Sequence, residues 1–557
     1  MKRGLPVRVA LTAFITVPLM LGISCFSRVN ATDYFLTIGG GYSRTGNQAS
    51  LEANVLFFKR LLKDEHRGER EHTIFFADGD NPEADLQILA PLKGKSETPA
   101  SDLLAMLHRR GRGAPMRVAY RNHRVEELAG SLDPDLIHKE LETFTEKASA
   151  SDRLIIFVTA HGSGGKKDDP YNTSLDCWGN RKVSAREFTG WLDALPTELP
   201  VVMVMAQCYC GGFGHTIFTD LDEAKGLSPH LRAGFFAQQH DLPAAGCRPD
   251  IEHDEEFSSY FWGAIAGKTR NGVPIADCDA NQDGVISFAE AYAHAVIAGE
   301  TIDVPLRTSE VLLRKYSRLR AEAGDAKSDD DSDNKKEEGD TNADVVKVVD
   351  APSTDSEPPQ AVESTAAPEL TTLSGPLESL VRDARPVTRR IITELAKKLD
   401  VSLQDDAVDV LKRYEELRKT RRGPGFGPGM GPGRGQPRPS SGRRELLKEV
   451  ADKWPELGDA EKWRESALLK KENQALLFQE MQSLPSWKLY SERREQLAEA
   501  DEVADERELQ TVKFRRFVHE LETRVLEINL PKVADPEIVE RYRQMIELEE
   551  SSLKKAR

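Results

Sequence analysis

Cysteine, aromatic residues and basic charge are all in short supply in this chain of 557 residues. It has six Cys, 7% aromatics, and 76 Lys and Arg against 92 Asp and Glu, a net charge of −16. The acidic balance argues against a general polyanion binder, and no specific nucleic-acid partner is expected. Over half of the excess sits in residues 321–357, which hold 13 acids and four Lys, so the remainder is nearer neutral. Beyond the N-terminus no stretch is apolar enough to span a bilayer. Neither Gly-x-Gly-x-x-Gly nor a lysine-ended phosphate loop occurs, so Gly39-Gly40-Gly41 reads as a tight turn at a strand end. No paired Cys-x-x-Cys motif is present. A metal set of Cys208, Cys210 and Cys247 with one of His161, His215 or His240 is therefore a competing reading on loose spacing only.

The N-terminus combines basic Lys2, Arg3 and Arg8, an uncharged stretch over 9–26, and Val29-Asn30-Ala31 as a small-residue cleavage site. Residues 1–31 read as a secretory signal peptide, which implies a secreted or periplasmic protein starting at Thr32. An uncleaved membrane anchor is the alternative, and a lipid-modified Cys25 is a third. Removal of Cys25 leaves five Cys, an odd number that permits two disulfides and one free thiol without specifying the pairing.

Over residues 32–320, short apolar runs alternate with helical patterns, as an α/β domain with a mainly parallel sheet requires. Strands are expected at 34–38, 73–77, 154–159, 201–205 and 234–238. The third and fourth are nearly unbroken apolar runs, the pattern of strands covered on both faces, and should be central. Leu136, Ile137, Glu140, Leu141 and Phe144 have helical spacing. Ser184 and Glu187 form a capping-box pattern, with Val183 placed to staple onto Phe188. Residues 321–372 are too polar to bury a core and read as a disordered acidic linker. Helical spacing resumes over 373–420 at Leu377, Leu380, Val381 and Ala384, then at Val408, Leu411 and Leu417. Residues 421–444, with eight Gly, five Pro and six Arg, read as a second flexible linker. The region 445–557 is again helical, most clearly at Phe514, Phe517, Val518, Leu521 and Val525. These helices carry no catalytic cluster; association with a second copy or a protein partner is their expected role, and His519 reads as a solvated helix residue.

The chemistry lies at two strand ends. The run Leu154-Ile155-Ile156-Phe157-Val158-Thr159-Ala160 stops at His161-Gly162-Ser163-Gly164-Gly165, and Val201-Val202-Met203-Val204-Met205 stops at Ala206-Gln207-Cys208-Tyr209-Cys210-Gly211-Gly212. Carboxyl ends of neighbouring parallel strands face one crevice, where ligands bind. A thiol beside an imidazole there can carry out acyl transfer, with His161 drawing the proton from Cys208. The backbone NH groups of Gly162 and Cys208 border the same crevice and are the candidate oxyanion hole.

These residues resemble the caspase and legumain type of cysteine peptidases, metacaspases included. The resemblance spans about residues 32–300: an apolar strand ending in His-Gly and, 47 residues later, one ending in a Cys closely followed by Gly. The family signature sets that separation at about 50. It implies a caspase-like three-layer domain and a His161/Cys208 dyad that hydrolyses protein or peptide substrates. Residues 39–49, through Asn47-Gln48-Ala49, are similar to the family's substrate-lining loop. Cys208 holds the family's nucleophile position, and Cys210 a place often held by Ser. Two residues before the nucleophile, where the family often has Glu, Asp or Gln, this chain has Ala206, so a preference for basic or Asn residues does not carry over. Arg44, which could receive an acidic side chain, and Gln207 are the candidate pocket residues. The alternative function is a catalytically inactive caspase-like binding module with a helical interaction tail.

Residues 279–290 match a twelve-residue EF-hand loop, with Asp279, Asn281, Asp283, the Val285 carbonyl, Ser287 and Glu290 at the ligand positions and Gly284 at the sixth. Calcium in a structural role is the expectation. The same residues also make an Asp-Gly turn into a helix capped by Ser287 and Glu290. No cofactor is needed for the acyl-transfer chemistry.

Overall fold

The computed structural model describes residues 32–64, 71–90, 98–108, 117–149, 152–245, 256–319, 369–421, 442–460 and 462–553. The expected signal peptide, Cys25, Cys247, and nearly all of the acidic and Gly/Pro/Arg linkers lie outside the described residues.

In chain order the first domain runs β1 (Asp33–Gly40), α1 (Ala49–Asp64), β2 (His72–Phe76), β3 (Leu86–Ala90), α2 (Pro99–His108), β4 (Arg117–Arg121), α3 (Pro134–Lys147), β5 (Arg153–Ser163), β6 (Ser174–Cys177), β7 (Arg181–Ser184), α4 (Ala185–Asp193), β8 (Val201–Met205), β9 (Arg232–Phe236), α5 (Phe257–Ala266), α6 (Phe288–Ala298), β10 (Leu306–Arg307) and α7 (Thr308–Tyr316). The main sheet has the order β10-β9-β8-β5-β1-β2, parallel throughout except for the short edge strand β10. All five expected strands belong to it. The two apolar runs, β5 and β8, sit side by side in its middle, with Val158 opposite Met205.

Helices cover both faces, as the apolar runs demand. Tyr34 and Phe35 point to opposite sides of β1: Tyr34 meets Phe144 of α3, while Phe35 meets Phe58 of α1. Phe58 also packs on Phe157 of β5 and Trp262 of α5. On β9, Phe235 contacts Phe261 of α5 and both Phe288 and Tyr292 of α6. Ser184 Oγ accepts from Glu187 N and starts α4 as its spacing predicts. In α3 the buried stripe is Ile137, Leu141 and Phe144, whereas Leu136 is exposed.

Three departures from the sequence expectations have physical causes. β9 begins at Arg232, earlier than its apolar run, because that guanidinium is buried against Asp193 Oδ1 at 2.6 Å and the Thr216 carbonyl at 2.6 Å. β5 continues past its apolar run through Ser163, since its last three residues leave β8 and pair with the antiparallel β6 and, through it, β7. The short strands β3, β4, β6, β7 and β10 were not legible, being only two to five residues long.

The C-terminal region folds as α8 (Leu377–Val381), α9 (Pro386–Lys398), α10 (Ala407–Arg421), α11 (Arg443–Lys453), α12 (Pro455–Gly458), α13 (Gln474–Gln482), α14 (Trp487–Val533) and α15 (Pro536–Glu549). Its apolar faces turn onto the first domain. Phe514, Phe517, Leu521 and Val525 of α14 are fully buried in the same core as the sheet. On α10 the buried positions are Ala407 and Val410 rather than Val408 and Leu411. Arg516 donates to the carbonyls of Val296, Gly299, Thr301 and Asp303, closing the end of α6. Arg153 grips Asp33 through two 2.9 Å bonds and also donates to the Ser552 carbonyl at 2.7 Å. His519 is paired and largely buried, with Nε2 2.5 Å from Glu310 Oε2, so it is not a solvated helix residue. A smaller core joins α2 to α11, α12 and α13 through Leu103, Leu107, Leu446, Val450, Leu457 and Met481. Among the described residues no helix is long and apolar enough to cross a membrane.

Candidate active site

His161 lies near the end of β5, and Cys208 lies three residues past β8, the adjacent central strand. Ala206 N donates to the Val158 carbonyl at 2.9 Å, carrying the parallel pairing one residue beyond β8. The two loops then touch. A Cβ placed on Gly162 would stand 2.2 Å from the Cys208 carbonyl oxygen and 2.9 Å from Gln207 Cγ, so only glycine permits this approach. Tyr209, with φ of +59°, turns the chain sharply after the cysteine, and its N–H donates to the Leu242 carbonyl at 3.0 Å.

The His161 ring is held through Nε2, which lies 2.7 Å from the Gly46 carbonyl and 2.7 Å from Gln48 Oε1. Both partners accept, so Nε2 carries the proton and Nδ1 keeps the basic lone pair. Tyr42 packs edge-on against the ring at a centroid distance of 5.2 Å. Burial pushes the imidazole below its ordinary pKa, against the opposing pull of the Gly46 carbonyl and Asp176.

Cys208 is partly exposed. Its Sγ accepts from Ala244 N at 3.3 Å and donates toward the Ala244 carbonyl at 3.8 Å. The segment carrying Ala244 is tied down from behind, with Ala245 N on Asp303 Oδ1 at 2.7 Å and Gln238 Nε2 on the Pro243 carbonyl at 3.2 Å. Cys210 is in the opposite situation. It is fully buried, its Sγ is fixed by Gln238 N and O at 3.3 and 3.6 Å, and burial pushes its thiol far up. Thiol ionisation is needed for nucleophilic attack, and burial works against it at Cys210. Cys177 is similarly buried, its thiol pushed up to about 12. No disulfide links Cys177, Cys208, Cys210 and Cys278 to one another, so the two disulfides that the count permits do not form among the described cysteines.

The candidate pocket residues fare differently. Gln207 is completely buried, and its amide oxygen and nitrogen have no protein partner, so it lines no open pocket in this conformation. Continued extension past Met205 turns it inward against Gly162. Arg44 is exposed and its guanidinium lies 4.2 Å over the Tyr120 ring, a stacking site on β4.

The cysteine-histidine metal set does not assemble among the described residues. His215 Nδ1 sits 3.3 Å from Glu223 while its ring stacks on Tyr171, and His161 is held as above. The one convergent group of potential ligands there is Asp78, Asp85 and His123. Its His123 is already engaged at both nitrogens, by Val125 N and the Gly79 carbonyl. Burial and the neighbouring Asp85 push the Asp78 carboxyl up to about 6, the behaviour of a carboxyl pair sharing a proton.

The calcium-like loop is built, and its acceptors are engaged from within. Asp279 accepts from Asp283 N and Gly284 N, Asn281 Oδ1 from Asp283 N, and Asp283 Oδ1 from Val285 N. Glu290 accepts from Ala280 N and Asn281 N through one oxygen, and from Ser287 N and Oγ through the other. That completes a capping box on α6, and the adjacent Phe288 N donates to the Ser551 carbonyl. The oxygen donors suit Ca²⁺ in kind, but bidentate binding by Glu290 would require releasing four donors that already hold the turn.

Gly46, Asn47 and Gln48 fell in the segment 39–49 expected to line the substrate, whereas nothing in the sequence pointed to Ala244 or Asp85. For Gln48, position was signalled but not role.

No protein-family model matches the chain, and no curated protein matches it.

Proposed function

We propose that this protein is a caspase-like cysteine endopeptidase, with Cys208 as nucleophile and His161 as acid and base. The observation that carries the reading is the contact of the two strand-end loops at Gly162 and Cys208, together with a His161 whose Nε2–H is engaged and whose Nδ1 keeps its lone pair. Nδ1 takes the Cys208 proton, and the thiolate attacks the scissile carbonyl, forming a C–S bond and an oxyanion beside the NH groups of Gly162 and Cys208. The C–N bond breaks as the imidazolium returns its proton to the leaving amine. Water then loses a proton to Nδ1 and attacks the thioester, the C–S bond breaks as the imidazolium returns that proton to the departing sulfur, and the acid product ionises to solvent as carboxylate. Calcium has no part in these steps. Secretion or periplasmic residence and a protein or peptide substrate belong to the same reading.

The Ala244 backbone resting against Cys208 Sγ is the observation that favours the second reading, a non-cleaving binding module of the same fold. A diverse peptide library offered to the full chain, beside Cys208→Ala, Cys210→Ala and His161→Ala, separates the two. Cleavage lost in Cys208→Ala and His161→Ala but kept in Cys210→Ala is expected. A wild-type protein that neither cleaves nor shows His161-dependent alkylation at Cys208 leaves the binding module.

A further inference from the structure

Gln48 has no role in the dyad as described, yet its carboxamide oxygen lies 2.7 Å from His161 Nε2 and it is 7% exposed. The segment that delivers it is fixed by a buried network. Asn47 donates through Nδ2 to Asp85 Oδ2 at 3.0 Å, accepts from Gly41 N at 3.0 Å, and its carbonyl receives Gln87 N at 2.7 Å. Gln48 itself bridges to Gln87 in parallel fashion. Two acceptors, one main-chain and one side-chain, are thus brought to a single ring nitrogen.

We propose that Gln48 is a positioning residue for His161: with the Gly46 carbonyl it fixes the proton on Nε2 and thereby presents Nδ1 to Cys208. A neutral amide suits this task because it orients the ring without a charge that would hold it as imidazolium. The other charged or titratable groups around His161 are Asp176, opposite it in the β5–β6 ladder and engaged by Ser163 and Lys182, Tyr42 on the ring, Cys208, and Asp85 beyond Asn47. None of these supplies a second side-chain acceptor at Nε2.

The inference rests on the peptidase reading for its purpose but is tested without it. Full-length protein with isotopically labelled histidine is titrated by NMR, the His161 signal being assigned by its loss in His161→Gln. In Gln48→Glu the new carboxylate is expected to raise the His161 pKa by about 1 to 3 units. In Gln48→Met, which keeps the volume and removes the acceptor, the Nε2–H fraction of neutral His161 is expected to fall. Peptide cleavage should drop in kcat with little change in KM for both variants, and Gln48→Glu should shift the acidic limb of the pH profile upward. A His161 pKa and tautomer unchanged in both variants would overturn the proposal. A wild-type protein that cleaves nothing while both NMR effects appear would instead remove the peptidase reading and leave the positioning role standing.

Discussion

A single methyl group at residue 162 is the sharpest probe of the site. The Cβ of Gly162→Ala would lie 2.2 Å from the Cys208 carbonyl oxygen and 3.1 Å from that of Ser174, and real Cβ contacts do not fall below 3.0 Å. The His161 and Cys208 loops must therefore separate by roughly 1 Å, a displacement that typically costs about 100-fold in rate when it misplaces reacting groups. That corresponds to about 2.7 kcal/mol of lost transition-state stabilisation. Overpacking of this kind destabilises the fold by about 1–3 kcal/mol, which leaves most of the protein folded at 25 °C. Gly190→Ala is the matched control: it adds a methyl group within α4, where nothing lies within 4 Å, and should stabilise the protein by about 0.5–1 kcal/mol. The assays are kcat/KM for peptide cleavage, the rate of iodoacetamide alkylation at Cys208, and urea unfolding. A Gly162→Ala protein that cleaves and alkylates within twofold of wild type, at unchanged stability, would refute the claim that these loops are in contact.

The remaining predictions concern the scaffold. His72 is half-buried on β2 beside Thr37 Oγ1, and desolvation lowers its pKa to about 4 from 6.5, so the unfolded chain binds more protons between those values. Stability should then be lost as pH falls from 6.5 to 4, by about 3 kcal/mol for this group, and His72→Gln should flatten that part of the curve; an unchanged slope counts against it. Leu521→Ala should cost about 2–5 kcal/mol, with one unfolding transition for the whole chain because α14 shares the core of the sheet; two separate transitions in calorimetry would contradict that shared core. Glu290→Gln should lower stability by about 1–3 kcal/mol with or without calcium, since the carboxylate closes the α6 cap. A calcium-induced rise in Tm that disappears in Glu290→Gln would show instead that the loop's main role is cation binding.

Periodicity and strand-end chemistry were enough for a good part of this molecule. The unbroken apolar runs of β5 and β8 declared central parallel strands, because a strand covered on both faces admits few polar side chains. Their adjacency then set His161 and Cys208 at neighbouring strand ends, since a parallel sheet delivers all its carboxyl ends to one edge. The Ser184 cap of α4 and the apolar stripe of α14 were legible for the same local reasons. Tertiary structure alone decided what needed contacts between distant segments. Arg232 and Arg153 stand in central strands only because Asp193 and Asp33 meet them, and pattern reading scores such positions as exposed. The loop that brings Gly46 and Gln48 to His161 is shaped by Asp85, 38 residues beyond Asn47. The α14 stripe was expected to meet a second copy or a protein partner, because periodicity reveals that a face must be buried and not against what. The structure turns it onto the first domain, where Arg516 closes the end of α6.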